Sequence, residues 1–280
     1  MTTTASPVTP ATPRPPDSRL RWHALASAAG TVFAVIILWS SLTLRNEFAV
    51  LGIFAAAALL WALSASQSSL GYLVPSTLLG AGALVHQFAV EIPTLGPYLA
   101  STRTAVIVAI ALGLAIALHF ARRDGRDAVL RDELAAAVHA SHAPESRRGR
   151  HIFAGLGGAL LAGIAVSMGA FGGVVATGGA GDVGFRWDIL AALILITIAA
   201  ALGSLSAWAP LAAGIVGAVF TAFHWADLAS VYIPWIHQED AAEGTRALAV
   251  ATLLLLTGAL SCRLARRAGQ RAERRERAIS

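Results

Sequence analysis

Long apolar runs alternate with short polar gaps along almost the whole chain. An α-helix rises ~1.5 Å per residue, so roughly 20 apolar residues are enough to cross the hydrocarbon core of a bilayer. Only 13% of the 280 residues are charged, against about 25% in a typical soluble domain. The pattern therefore predicts an all-α, polytopic integral membrane helix bundle, and the number of apolar runs predicts eight transmembrane helices.

The polar gaps set the ends of the eight predicted spans. Two of the gaps, Ser64–Gly71 and Gly203–Pro210, are very short. Pro75 and Pro210 are expected in the first turn of the helix that follows each gap, where a missing N–H costs nothing. The predicted spans are Trp22–Leu44, Phe48–Ser66, Leu70–Val90, Thr104–Phe120, Ile152–Val175, Trp187–Ala207, Trp208–Ala229 and Arg246–Leu264.

Polar segments divide the chain into two membrane halves. Residues 1–20 are rich in Thr and Pro, which predicts a disordered cytoplasmic tail. Residues 21–121 form the first four-helix half, and residues 151–265 form the second. The basic segment 122–150 between them is predicted to be a cytoplasmic linker with a short surface helix, Asp127–His139, and residues 266–280 a basic cytoplasmic tail.

The distribution of arginine predicts the orientation in the membrane. All 21 basic residues are arginine, and 17 of them fall in the N-terminal tail, the 122–150 linker and the segment from Arg263 onward. A bias of this kind places the basic side in the cytoplasm, so both chain ends are expected there. All seven tryptophans, Trp61 among them, fall at or near predicted span ends, as an indole in the headgroup layer would. The single cysteine, Cys262, is expected to be a small packing residue.

Four short matches in the same order suggest that the two halves are an internal repeat. One of them pairs Ala121-Arg122-Arg123-Asp124-Gly125 with Ala265-Arg266-Arg267-Ala268-Gly269, and the offset between the matches drifts from 138 to 144 residues. Four spans per half would give both halves the same orientation, which is the parallel class of repeat. The alternative is that Ala-, Leu- and Gly-rich helices resemble one another by chance.

Polar residues near the predicted outer ends of spans three, four, seven and eight form the candidate site. A charged group in a bilayer is costly, so such side chains usually face a cavity or one another. A histidine beside a carboxylate can also relay protons near neutral pH. The other interpretation is that these residues only anchor the helix ends at the headgroup layer. The candidate substrate or proton site consists of His86, Glu91, Arg103, His224, Asp227 and Arg246.

A second hypothesis uses histidines as ligands of b-type haem. Haem iron accepts axial histidine, and helix bundles host such sites. His23 with His151, and His86 with His224, fall at matching span ends. However, His23 and His151 follow arginines closely, which is typical of headgroup residues. The sequence therefore predicts no cofactor, and it contains no cluster of residues typical of a metal site.

The sequence lacks the usual motifs of soluble enzymes. The glycine-rich segment 172–184 has no Gly-Lys-Ser/Thr, and neither Gly-x-Ser-x-Gly nor His-Glu-x-x-His occurs. The leading hypothesis is a transporter or permease-like protein of the cell membrane for a small solute or ion, and not an enzyme. The alternative is a structural or accessory membrane protein that acts through partners. The expected partners are the lipid bilayer and other membrane proteins or further copies of the chain, and not nucleic acid.

Overall fold

Eight α-helices make up most of the described part of the chain in the computed structural model. The structure describes residues 17–43, 47–88, 101–137, 147–168, 176–177, 184–185, 187–225 and 241–278. The helices are α1 (Asp17–Thr43), α2 (Glu47–Ala65), α3 (Leu70–Phe88), α4 (Thr102–Ala137), α5 (Arg147–Ser167), α6 (Trp187–Ala201), α7 (Trp208–Trp225) and α8 (Ala241–Arg277). A 3-10 turn (Leu202–Ser204) follows α6, and the two-residue strands β1 (Ala176–Thr177) and β2 (Gly184–Phe185) pair antiparallel. The all-α prediction is confirmed.

Four helices contain segments long and apolar enough to cross a membrane. They are Arg21–Trp39, Arg103–Arg131, Gly149–Ser167 and Arg246–Arg277. The apolar parts of α2 and α3 pass the same test only together, as a pair bent by 120°. The apolar parts of α6 and α7 are shorter. Within the described residues there are thus four candidate spans, or five if the bent pair is one span, and the eight predicted crossings stay a prediction.

Helices α4 and α8 continue well beyond the apolar runs that they contain. They span 36 and 37 residues, so each extends several turns past the predicted span ends at Phe120 and Leu264. The predicted surface helix Asp127–His139 is instead the last part of α4, which the structure describes as far as Ala137. The reason is local, because Ala, Leu, Arg and Glu are strong helix formers and no proline interrupts these extensions.

Other helix ends differ from the prediction by a few residues. Helix α1 begins at Asp17, inside the predicted N-terminal tail, and residues 1–16 lie outside the described part. Helix α5 is described as far as Ser167, and residues 169–175 of the predicted span lie outside the described part. Helix α6 ends at Ala201, and the 3-10 turn takes up the last part of the predicted span.

Pro75 lies inside α3 and not in its first turn. Because α3 begins at Leu70, the missing N–H of Pro75 leaves the Gly71 carbonyl without its usual helical donor. The Trp61 indole replaces that donor, and its Nε1–H donates to the Gly71 carbonyl over 2.7 Å. Trp61 is 0% exposed, so it is a core residue and not the headgroup anchor that the sequence predicted. Pro210, the third residue of α7, does lie in a first turn.

Helices α4 and α8 cross in close contact. A Cβ at Gly125 would overlap the carbonyl oxygen of Arg266, and a Cβ at Gly269 would overlap the carbonyl oxygen of Arg122. The two glycines therefore allow the backbones to approach as far as they do. Cys262 is fully buried in the same core, as predicted.

One face of α5 exposes a row of large apolar side chains. From Phe153 onward they are spaced three or four residues apart, which places them on the same side of the helix, and Ile152 lies four residues before Leu156. Such a face suits contact with lipid, since water would penalise its exposure. The exposed residues are Ile152, Phe153, Leu156, Leu160 and Ile164.

Candidate functional site

Four of the six predicted site residues fall within described helices. His86 lies near the end of α3 and is partly exposed, and His224 is the second-last residue of α7. Arg103, the second residue of α4, is only 6% exposed, and Arg246 in the second turn of α8 is partly buried. His86, Arg103 and Arg246 each interact with other residues. Of the site residues whose burial the structure describes, Arg103 is the most buried.

Glu91 and Asp227, the two predicted carboxylates, lie outside the described residues. The outer site as a shared cluster therefore stays a prediction. The most completely defined polar group of the described residues lies elsewhere, around the two short connections between helices. We call residues 66–69, between α2 and α3, the first joint, and residues 202–207, between α6 and α7, the second joint.

Arginine and histidine side chains hold the first joint. The Arg122 guanidinium donates from one Nη to the carbonyls of Ala65 (3.1 Å) and Ser66 (2.6 Å). These are carbonyls at the C-terminus of α2, where the helix offers no donor and its dipole favours a cation. The Ser68 hydroxyl accepts the backbone N–H of Leu70 at 3.2 Å and forms a 2.7 Å hydrogen bond with His23 Nδ1. The joint is thereby tied to both α4 and α1.

The second joint has the same four hydrogen bonds. Arg266 of α8 donates from one Nη to the carbonyls of Gly203 (3.0 Å) and Ser204 (2.7 Å). The Ser206 hydroxyl accepts the backbone N–H of Trp208 at 3.2 Å and forms a 2.8 Å hydrogen bond with His151 Nδ1. The joint is thus tied to α8 and α5, as the first joint is tied to α4 and α1.

One carboxylate connects three arginines beside the second joint. Asp124 of α4 lies 3.2 Å from an Nη of Arg131, 3.5 Å from an Nη of Arg150 and 3.4 Å from Nε of Arg266. Its side chain is partly buried, which limits screening by water. The Ala-Arg-Arg-x-Gly match has alanine, Ala268, at the corresponding position of α8. The corresponding position of α8 therefore provides no carboxylate for a second cluster of this kind.

Two cavities open beside the joints. The Arg271 cavity has a volume of about 480 Å³ and lies between the first joint and α8; its lining includes Leu63, Ser66, Gln67, Ala268, Arg271 and Arg275. The Asp124 cavity has a volume of about 190 Å³ and lies beside the second joint; its lining includes Asp124, Ala128, Arg131, Arg150, Leu205 and Arg266.

Sequence reasoning did not identify the joints as polar centres. The sequence does contain a signal, since a Ser-x-Ser pair stands at 66 and 68 and again at 204 and 206. Serine favours turns because its hydroxyl can accept a nearby backbone N–H. The sequence favours headgroup positions or haem ligation for His23 and His151, but in the structure both form hydrogen bonds with joint serines. These hydrogen bonds support a structural role for the two histidines over the haem hypothesis.

No group of three or more metal-binding side chains occurs among the described residues. Comparison of the chain with protein-family models, curated proteins and solved structures finds no match. Its classification therefore depends on the helices themselves. Their number, length and hydropathy are those of a multi-pass membrane protein, with apolar faces suited to contact with lipid.

Proposed function

We propose that the chain crosses the cell membrane eight times as two similar four-helix halves in parallel orientation. The support is the matched hydrogen bonding of the two joints, in which arginine, histidine and serine recur in the same roles. The reciprocal contact of Gly125 with Arg266 and of Gly269 with Arg122 relates α4 to α8 in the same way. An approximate twofold axis along the membrane normal would produce both patterns.

The proposed orientation places the joints and both chain ends in the cytoplasm. Arg122, Arg266 and the ion-pair cluster of Asp124 all lie at the joints, and the positive-inside rule assigns that end to the cytoplasm. The opposite end, with His86, Arg103, His224 and Arg246, would then face outward.

As its function we propose permease-like transport of a small solute or ion through an outward-facing polar site. The observation that carries this proposal is the burial of Arg103 at the start of α4, the helix that packs closely against α8. A buried guanidinium in a membrane protein is costly and is usually retained for a pathway or a binding site. Arg246 lies in the second turn of α8.

A second candidate is a structural or accessory membrane protein that acts through partners. The close packing of α4 against α8 favours it, because apolar side chains and glycine contacts fill the interior between these helices. The two cavities beside the joints lie away from the predicted outer site.

Proton flux into proteoliposomes tests the transport proposal. The purified chain is reconstituted into vesicles that contain a pH-sensitive dye. A potassium diffusion potential drives the proton flux, which is measured at several external pH values. Histidine changes charge at about pH 5–8, so the wild-type flux should vary with pH across that interval. The double variant His86→Ala/His224→Ala should flatten this dependence while keeping a nearly unchanged unfolding temperature.

His119→Ala provides the matched control. His119 is an exposed histidine of α4 whose ring lies against Phe120, away from the outer site, so its removal should leave the pH profile unchanged. Flux no greater than that of empty vesicles, or a profile unaltered in the double variant, would reject the proton-relay site and favour the accessory function.

A further inference from the structure

The Arg271 cavity and the Asp124 cavity occupy corresponding places beside the two joints. Ala128 and Arg131 line the Asp124 cavity, and Ala272 and Arg275, each 144 positions later, line the Arg271 cavity. The lining residues of the two cavities can therefore be compared at equivalent positions, 144 residues apart.

The lining of the Asp124 cavity includes an anionic group of the protein itself, the Asp124 carboxylate. The Asp124 carboxylate lies within 3.5 Å of guanidinium nitrogens from three arginines on three helices. The contact from Arg131 is a hydrogen bond, and the contacts from Arg150 and Arg266 are ion pairs. A hydrogen bond between two charged groups is roughly twice as strong as a neutral one. The surroundings of this cavity thus bind an oxyanion, which the chain itself supplies.

In the Arg271 cavity the corresponding position is Ala268, and the cavity is larger, about 480 Å³ against about 190 Å³. Arg271 and Arg275 line it and are exposed. Neither pairs with a carboxylate of the described residues. Among the described residues, no side-chain carboxylate takes the place beside Arg271 and Arg275 that Asp124 takes in the other cavity.

We propose that the Arg271 cavity binds the phosphate group of an anionic phospholipid. Arg271, Arg275 and the polar joint residues Ser66 and Gln67 face the phosphate, while Leu63 and Leu264 provide an apolar wall for the glycerol and the first acyl carbons. Basic pockets on the cytoplasmic side of membrane proteins bind lipid headgroups in this way. The proposal rests on the membrane placement given above but not on transport.

Native mass spectrometry of the full chain in detergent micelles tests it, with phosphatidylglycerol, phosphatidylcholine and inorganic phosphate as separate probes. The wild type should retain one phosphatidylglycerol about tenfold more tightly than phosphatidylcholine. Ala268→Asp should weaken phosphatidylglycerol binding about tenfold or more, because its carboxylate would stand seven residues before Arg275, as Asp124 stands seven residues before its partner Arg131, and would compete with the phosphate. Asp124→Ala should create a second phosphatidylglycerol site. Thermal unfolding of each variant, measured without lipid, establishes that it is folded.

The matched controls lie on the same helix. Arg271→Gln with Arg275→Gln should remove the preference for phosphatidylglycerol, and Arg267→Gln with Arg274→Gln, which do not line the cavity, should keep it. Equal affinity for the two lipids, or unchanged binding in folded Ala268→Asp, would overturn the proposal. If inorganic phosphate binds as tightly as phosphatidylglycerol and displaces it, the ligand of the cavity is a free anion and the lipid proposal is wrong. Because no transport is measured, failure here is distinguishable from failure of the proposed function.

Discussion

Gly125→Ala and Gly269→Ala should each destabilise the protein, whereas Gly52→Ala and Gly163→Ala should leave its stability unchanged or raise it. At Gly125 and Gly269 the new Cβ would overlap a backbone carbonyl oxygen of the opposing long helix, Arg266 and Arg122 respectively. Backbone atoms cannot rotate away, so α4 and α8 must separate along their crossing. Overpacking of this kind costs about 1–3 kcal/mol or more.

Gly52→Ala and Gly163→Ala are controls in which the same substitution should not lower the stability. A Cβ at Gly52 or Gly163 meets no atom within 4 Å, and alanine is about 1 kcal/mol more favourable than glycine inside a helix. Unfolding temperatures of the four purified variants in one detergent give the comparison. Equal stability of all four variants would mean that the α4–α8 crossing is not as close as described.

Arg122→Ala and Arg266→Ala should also destabilise the protein strongly, and the sequence provides an adjacent control for each. Each arginine donates to two helix-end carbonyls at a joint. Removing a charged donor from partly buried acceptors costs about 1.5–3 kcal/mol. The loss should be larger for Arg266, because its removal also takes one of three arginines from Asp124.

Arg123→Ala and Arg267→Ala are the controls for these variants. Both arginines are the next residue along the chain and are exposed, and exposed charges contribute little to stability. Chemical or thermal unfolding of the four variants measures the difference within each pair. If Arg123→Ala lowered the stability as much as Arg122→Ala, the stability would depend on the number of positive charges and not on the hydrogen bonds to the joints.

Hydropathy was sufficient to predict the fold class but not the joints. A long apolar run has one favourable structure in a bilayer, so the helices follow from the sequence alone. The partner of His23 is Ser68, 45 residues away, and only the packing of α1 against the first joint brings the two together. Likewise, Trp61 near a span end resembles an interface residue until the position of Pro75 reveals an acceptor for its indole.

The sequence shows the Ala-Arg-Arg-x-Gly match but not the contact between the two matched segments. The sequence places Arg122 and Gly125 just after one predicted span, and Arg266 and Gly269 just after another. It does not reveal that each glycine lies against the arginine of the other segment. Nor does it indicate that Asp124, the one position that differs, joins three arginines.

Cysteine accessibility in intact cells is the most direct test of the eight crossings and their orientation. Cys262→Ala removes the only native cysteine, and single cysteines are then introduced one at a time and treated with a membrane-impermeant maleimide. The proposed topology predicts labelling from outside at Arg45, Thr94, Gly179 and Asp240. It predicts no labelling at Gln67, Leu205 and Arg271 until the cells are opened. Opposite accessibility of Arg45 and Thr94 would mean that α2 and α3 together make a single bent crossing, and labelling of Gln67 or Leu205 in intact cells would contradict the account.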